Sequence, residues 1–171
     1  MFAHKFESLY DLFVHELKDL YDAEHQLLEQ IPQIKDAVSS GTLRTLVEEM
    51  RLATERQKGL IEDIFRTLDV TAQRTTCPAM KGILNEAGEM LKAKGDPATG
   101  DAAVIASINR VQHYEIAGFG TLRAFAERLG YSEIAGTLGR CLDVGYFIDQ
   151  AATALAEYDI NAESAEPAAT S

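Results

Sequence analysis

The chain has 171 residues, enough for one domain with a substantial core and too few for two ordinary domains. It is 46% hydrophobic and 25% charged, a composition typical of globular rather than disordered proteins. Its net charge of -11 argues against a nucleic-acid partner, because phosphate backbones are bound by basic surfaces.

The first predicted helix covers residues 8–39, with Ser8 as its N-cap and a leucine-rich stripe along one side. Pro32 is expected to bend this helix or to split off its last turns. A second helix follows the Ser-Gly-Thr link at residues 40–42 and extends to Leu68. The link is short enough to make the two helices an antiparallel pair.

An irregular connection is predicted at residues 69–77, followed by a short helix over residues 78–93 that begins with a first-turn proline. The Gly-Asp-Pro sequence at residues 95–97 ends this short helix. A long helix over residues 101–130 comes next and is stopped by Gly130.

Ser132 is the predicted cap of the last helix, which extends to Glu157. Residues 160–171 are small and polar and are expected to form a disordered tail. No segment alternates with period two, so no strand is predicted. The sequence therefore predicts an all-α domain over residues 1–159, a ferritin-like four-helix bundle with one long crossover that carries a short extra helix.

Two cysteines, Cys77 and Cys141, give neither a disulfide framework nor a zinc-site spacing. The first residues lack the pattern of a signal peptide, and the chain has no run of about 18 apolar residues. We therefore expect a cytoplasmic protein with no membrane partner. The chain also has no GxSxG sequence and no nucleotide-binding fingerprint, so no catalytic residue is predicted.

The most informative segment of the long helix is one turn that carries Gln112, His113 and Glu115. Apolar residues recur at three- and four-residue steps along this helix: Val104, Ile105, Ile108, Val111, Phe119 and Leu122. At about 100° per residue, Gln112 and Glu115 fall inside this buried stripe, whereas His113 falls to one side. A carboxylate aimed at a core needs a cation, a metal or a hydrogen-bond network as its partner.

Three sequence blocks give the chain a resemblance to the YciE/YciF family of bacterial ferritin-like stress proteins. They are LFVHELKDLYDAEHQL at 12–27, CPAMKGIL at 77–84 and GDPATGDAAVIASINRVQHYEIAGFGTL at 95–122. The resemblance covers about residues 6–158. It implies a four-helix bundle, dimerisation, induction under osmotic, oxidative or envelope stress, and a di-metal site in the better-equipped members.

Several positions depart from the ligand pattern that the resemblance implies for such a site. Met50 and Ala53 stand where the family usually has a histidine and a glutamate, and Gln112 replaces a glutamate. Val144 and Gly145 interrupt an acidic run on the last helix. The resemblance therefore implies a di-metal site that is largely dismantled in this chain.

Glu24, Glu115 and Asp149 are the remaining candidate ligands. If they converge, three carboxylates could hold a single divalent ion, iron or manganese, weakly. Glu16 lies on the same helix track as Glu24 and is either a further ligand or an ordinary surface charge. His113 matches the family motif, but its direction favours a contact with a neighbouring helix edge or a dimer partner over metal ligation.

Other arrangements of these carboxylates are possible from the residues alone. Glu24 could be a buried acid that is hydrogen-bonded to Tyr21 or Tyr114. An arginine, with Arg110 and Arg140 nearest in sequence, could neutralise the cluster. Two amides could complete a metal-free polar layer, and they are Gln57 and Gln112. Three polar residues of the first helix are expected to face water, namely Asp19, Asp22 and His25.

The Gly118-Phe119-Gly120 stretch inside the long helix is unusual, since each glycine costs about 1 kcal/mol relative to alanine. Such glycines let another helix approach closely. Residues 117–121 therefore predict a packing seam or a homodimer seam.

Two functions follow from these observations. In the first, the protein acts without redox chemistry as a dimeric structural or interaction module. In the second, Glu24, Glu115 and Asp149 hold one iron or manganese ion, for metal sequestration or for peroxide or oxygen chemistry.

Overall fold

In the computed structural model, which describes residues 5–92 and 94–165, the chain is helical and contains no strand in those residues. The helices are α1 (Leu9–Ala37), α2 (Gly41–Thr67), α3 (Pro78–Met90), α4 (Pro97–Leu129), α5 (Ser132–Leu155) and α6 (Asn161–Ala165), with a π-helical turn at Ala156–Ile160 between the last two. No helix in this part of the chain has the length and apolarity needed to span a bilayer.

Four of the helices form the predicted bundle. The hairpin of α1 and α2 packs against the hairpin of α4 and α5, with α1 on α4 and α2 on α5. The short helix α3 lies in the crossover and contacts α1 and α4. Leucine, isoleucine and phenylalanine side chains from all four long helices fill the core, and the largest are Phe13, Phe65 and Phe119. The fold class predicted from the sequence is confirmed.

Local signals set several of the helix ends. The Ser8 hydroxyl accepts a hydrogen bond from the Asp11 amide at 3.1 Å and begins α1, as predicted. The helix α4 begins at Pro97, four residues earlier than predicted, because the Asp96 carboxylate caps the Thr99 amide at 2.8 Å. Gly130 ends α4 with a φ of 82°, a left-handed conformation that favours glycine.

Other helix predictions also differ from the structure, in whole or in part. Pro32 does not split α1, because Ile31 and Ile34 hold the turns around it in the core, and the alternative of a bend at Pro32 stays a prediction. The helix α3 ends at Met90 rather than at residue 93, which lies outside the described residues. Ser132 is the first residue of α5 rather than its cap, and Tyr131 precedes it without a side-chain capping bond.

The chain also stays ordered beyond the predicted start of its tail. Residues 160–165 are helical or complete a helical turn, whereas the predicted disordered tail begins at residue 160. Ile160 is only 1% exposed, and α6 packs against α4, so apolar burial holds this segment on the bundle. The remaining predicted tail, residues 166–171, lies outside the described residues.

The glycines of α4 are explained by packing within one chain. A Cβ atom at Gly118 would lie 3.1 Å from Cδ1 of Leu20 on α1, and one at Gly120 would lie 4.0 Å from Leu142 on α5. These two glycines therefore form a packing seam within one chain, which is one of the two predicted alternatives. Ala117 and Thr121 remain exposed on the outer side of the same stretch.

We expect Gly118→Ile to lower the free energy of unfolding by about 2 kcal/mol, because the new side chain would overpack the contact with Leu20. Gly59→Ala is the matched control, since that helical glycine has open space where a Cβ would be placed. The control should stabilise the protein by about 1 kcal/mol through helix propensity. Urea unfolding of both variants measures the difference, and equal effects would contradict this packing.

Candidate functional site

A layer of polar side chains crosses the centre of the bundle. Glu24 on α1 is completely buried, and Gln112 and Glu115 on α4 are each 1% exposed. Gln57 on α2 is also buried. These residues occupy core-facing positions because each continues the apolar stripe of its own helix.

The two amides of this layer are used as hydrogen-bond donors. Gln112 donates from Nε2 to Oε2 of Glu115 at 2.7 Å. Gln57 donates from Nε2 to the backbone carbonyl of Cys141 on α5 at 3.2 Å. Both amides are therefore neutral hydrogen-bond donors, Gln112 to Glu115 and Gln57 to a backbone carbonyl, and a metal-free polar layer stays a prediction.

Glu24 and Glu115 are two buried acids that lie next to each other. Burial and the neighbouring charge of Glu115 raise the pKa of Glu24 well above its usual value. Burial also raises the pKa of Glu115, to about 8, although its hydrogen bonds with Gln112 and Glu24 oppose that rise. Both oxygens of Glu24 and Oε1 of Glu115 lack a donor when the two groups are ionised. A proton shared between the two carboxyl groups would engage two of these three oxygens.

Asp149 does not join this pair. Its side chain is 17% exposed, and its Oδ1, which is buried and has no hydrogen-bond partner among the described residues, is 3.4 Å from Nε2 of His113. His113 itself is 69% exposed, which agrees with its predicted direction toward a helix edge. The structure therefore brings Glu24 and Glu115 together, while Asp149 and His113 pair elsewhere.

Glu16, the fifth candidate ligand, is half-buried near the start of α1. It forms no hydrogen bond or ion pair with the other described residues, and Glu24 lies two turns away. Among residues 5–92 and 94–165, no three His, Cys, Asp or Glu side chains come together as a metal-ligand group.

The residues at the bundle centre do not fit a two-metal site. A coupled pair of metal ions in such a bundle uses about four carboxylates and two imidazoles. Glu24 and Glu115 supply two carboxylates, and Gln112 Oε1 adds one more oxygen without a donor. The position of Gly145 is closed by Ile116, whose Cγ1 lies 3.1 Å from the point where a Cβ would be placed.

Glu24 is paired with neither of the two candidate tyrosines and with neither of the two candidate arginines. Tyr21 donates to Glu62 at 2.8 Å, and Tyr114 donates to Asp19 at 2.6 Å. The two candidate arginines are also directed elsewhere: Arg110 lies 3.6 Å from Glu86, and Arg140 donates to the Thr137 hydroxyl. The neighbouring titratable group of Glu24 is therefore another acid, Glu115, rather than a phenol or a guanidinium group.

A second polar cluster was missed in the sequence. Asp22 is 4% exposed rather than facing water. Its carboxylate accepts hydrogen bonds from the Cys77 amide at 2.8 Å, from Nε of Arg74 at 2.7 Å and from Gln26 at 2.5 Å. Burial opposes ionisation of Asp22, but these donors outweigh it and hold its pKa below the usual value.

Asp22 thus ties the crossover to α1 just before α3 begins. The Cys77 thiol lies 2.9 Å from the hydroxyl of Tyr114, and Tyr114 donates to Asp19. Asp19 is half-buried by this contact instead of facing water. His25 is also half-buried, and its ring meets that of Tyr21 edge-on. The helical periodicity of α1 gives no signal for these contacts, since their partners come from the crossover and other helices.

Comparisons with known proteins agree with this architecture. The family model described as "Domain of unknown function (DUF892)" matches residues 8–165. Protein YciF of Escherichia coli strain K12 is 33% identical over 159 residues, which cover 91% of this chain and 94% of that protein. The crystal structure of this Escherichia coli stress protein superposes with a TM-score of 0.87 at 32% identity, covering 91% of this chain and 99% of that one.

Two other solved structures are also similar. YcfI from Rhodopseudomonas palustris, to which a structural role is ascribed, has a TM-score of 0.85 at 29% identity and covers 90% of this chain and 98% of its own. A protein from Xanthomonas campestris pv. campestris has a TM-score of 0.71 at 17% identity over 90% of this chain and 94% of its own, which shows the shared fold. This chain belongs to the DUF892 family, the family of YciE and YciF.

Proposed function

We propose that this protein is a YciF-like stress-response protein that works without redox chemistry, as a dimeric structural or interaction module whose di-metal site is largely dismantled. The stress context comes from YciF, which is described as a stress protein, and the structural role parallels the one ascribed to YcfI. A cytoplasmic location belongs to the same proposal.

The coupled pair of Glu24 and Glu115 carries this proposal. Burial raises the pKa of both acids, and Gln112 donates to Glu115, so the pair can stay protonated and lose the charge that a metal ion would otherwise compensate. Met50 is buried in the core on α2, two turns before Gln57, at a position where the family usually has a histidine. The chain thereby loses a ligand and gains apolar packing at the same point.

A second candidate is a metalloprotein with a reduced site, which would hold a single iron or manganese ion for sequestration or for peroxide or oxygen chemistry. Four buried oxygens without donors support it, from Glu24, Glu115 and Gln112. Two carboxylates and one amide oxygen are a weak ligand set for such an ion. On this candidate, metal binding would be weak and limited to one ion.

Metal analysis of protein purified without chelator separates the two candidates. We expect well under one iron or manganese per chain, and close to two per chain would refute the dismantled site. Asp149→Asn should then be close to neutral, because asparagine keeps the size of the side chain and one oxygen, and the contact with the exposed His113 is weak. If an ion is held at the centre, Glu24→Gln should lower metal content and stability together, while Asp149→Asn should change neither.

The dimer is tested by light scattering of the full chain at micromolar concentration. We expect about twice the chain mass of 18.8 kDa. The exposed small residues Ala117 and Thr121 support a close contact between copies, and Thr121→Glu should weaken it. A wild-type mass near 18.8 kDa would exclude the dimeric part of the proposal.

A further inference from the structure

A groove about 580 Å³ in volume runs between α2 and α5, and all of its lining residues come from these two helices. Its surface is mostly apolar, with Leu60 and Ile148 among the lining residues. Leu52 and Phe147 stand on its rims and are 50% and 64% exposed. Volumes of this size with an apolar lining are typical of sites for small molecules.

One end of the groove is cationic. The hydrogen bond from Gln57 to the Cys141 carbonyl places these two residues at the same level of the helix pair. Arg56 and Arg140 each precede one of them and line the groove at that level. Arg140 donates to a Thr137 hydroxyl, and Arg56 has no hydrogen-bond or ion-pair partner in the described part of the chain. Neither guanidinium group is paired with a carboxylate there, although the net charge of the chain is -11.

The two ends of the groove also differ in charge. On α2, its lining extends from Leu60 through Arg56 and Leu52 to Glu49. At 1.5 Å per residue, the segment from Glu49 to Leu60 spans about 16 Å, of which about 10 Å lie between Arg56 and Glu49. The Glu49 carboxylate lies at the end near Ile148, away from the two arginines, and would repel an anionic head group there. An anion with an apolar body therefore fits the groove in one orientation.

We propose that this groove binds a small amphipathic carboxylate, of the length of a medium-chain fatty acid. Its head group lies between Arg56 and Arg140, which can each donate two hydrogen bonds to a carboxylate. Its chain lies along Leu52 and Phe147, whose exposed apolar surface it covers. This assignment rests on the groove and its two arginines, and it does not require a metal ion, although Ala53 and Val144 of the altered ligand pattern are among the lining residues.

A second copy of the chain is a poorer occupant than this ligand. A symmetric contact centred on the groove would use the same patch on both copies. It would bring Arg56 and Arg140 of one copy toward their equivalents on the other, and like charges at an interface are unfavourable. The carboxylate instead complements these charges.

Isothermal titration of the full chain with dodecanoate, below its micelle concentration, tests the proposal. We expect saturable binding of one dodecanoate per chain. Arg56→Gln and Arg140→Gln should each weaken binding about tenfold, since each removes a charged hydrogen-bond donor to the head group. The methyl ester of dodecanoate should also bind at least about tenfold more weakly than the acid.

Arg66→Gln is the matched control, because Arg66 is an exposed arginine on α2 that pairs with Asp63 outside the groove. It should bind dodecanoate like the wild type, and Glu49→Gln should bind at least as tightly. Circular dichroism checks that each exposed-residue variant keeps its helical content. Ala53→Trp, which fills the groove, should abolish binding.

Three outcomes would overturn the proposal. Absence of saturable binding is the first, and equal affinities for the wild type and both groove-arginine variants is the second. The third combines two results: the wild type binds no dodecanoate, and it forms a dimer that the Phe147→Ser substitution dissociates. This outcome would assign the groove to a second copy.

Discussion

Replacing Glu115 with Gln should raise the free energy of unfolding at pH 8 by on the order of 3 kcal/mol. The buried pair makes ionisation costly in the folded state, because burial raises the pKa of both Glu24 and Glu115. Glutamine keeps the size of the side chain and its hydrogen-bonding capacity, and it carries no charge.

The sign of the pH dependence follows from proton binding. Above about pH 4.5, the unfolded chain loses the Glu115 proton while the folded chain retains it, so the folded state binds more protons. The stability of the wild type should therefore fall as the pH rises from about 4.5, until the folded group ionises near pH 8. In the Glu115→Gln variant this decline should be smaller, and the part that remains should come from Glu24, whose pKa burial still raises.

Guanidinium unfolding at pH 5, 6.5 and 8 after treatment with a chelator measures both effects. Asp149→Asn is the control, since Asp149 contacts His113 and not the buried pair. A Glu115→Gln variant whose stability declines as steeply as that of the wild type would contradict the shared-proton pair. Destabilisation of the variant only in protein that was not chelated would favour the metalloprotein.

The second large effect is expected at Asp22. Asp22→Ala should cost roughly 3 kcal/mol, because it leaves the Cys77 amide and Arg74 without their acceptor in a buried place. Asp22→Asn should cost less, since the amide oxygen still accepts one of these bonds. The pKa of Asp22 is lowered in the folded state, so its contribution is present above the unfolded pKa and lost as the pH falls through the folded one.

Urea unfolding at pH 7 measures the loss of stability, and limited trypsin digestion reports on the crossover around Arg74. We expect Asp22→Ala to be cleaved faster at Arg74 than the wild type, because Asp22 holds that segment against α1. Asp36→Ala removes an exposed acid from the same helix and should change stability by no more than about 0.5 kcal/mol. Equal stability of Asp22→Ala and Asp36→Ala would show that the buried contacts of Asp22 contribute nothing.

Part of the site could be predicted from the sequence because it depends on helical periodicity. The apolar stripes of α1 and α4 direct Glu24 and Glu115 inward, and both are buried where the periodicity places them. The same argument directs His113 to a helix edge, and it is exposed there. Each of these statements concerns one helix and needs no knowledge of its neighbours.

The partners of these residues could not be predicted in the same way, because they depend on how the helices are placed against each other. Asp149 lies only one turn beyond the buried Gly145, yet it pairs with His113 rather than with Glu115. Asp22 is buried by a loop that is more than fifty residues away in sequence. The Arg56 and Arg140 end of the groove likewise requires the register of α2 against α5.

The sequence by itself determined an all-helical bundle, the helix order and the inward direction of its buried acids, since apolar spacing and helix-ending residues act over a few neighbours. The tertiary structure alone decided that Glu24 meets Glu115 without a third carboxylate from residues 5–92 and 94–165. It also decided that Gly118 accommodates Leu20, and that a groove with two unpaired arginines lies between α2 and α5. Such features depend on distances between separate helices, which are set by the packing of the whole core.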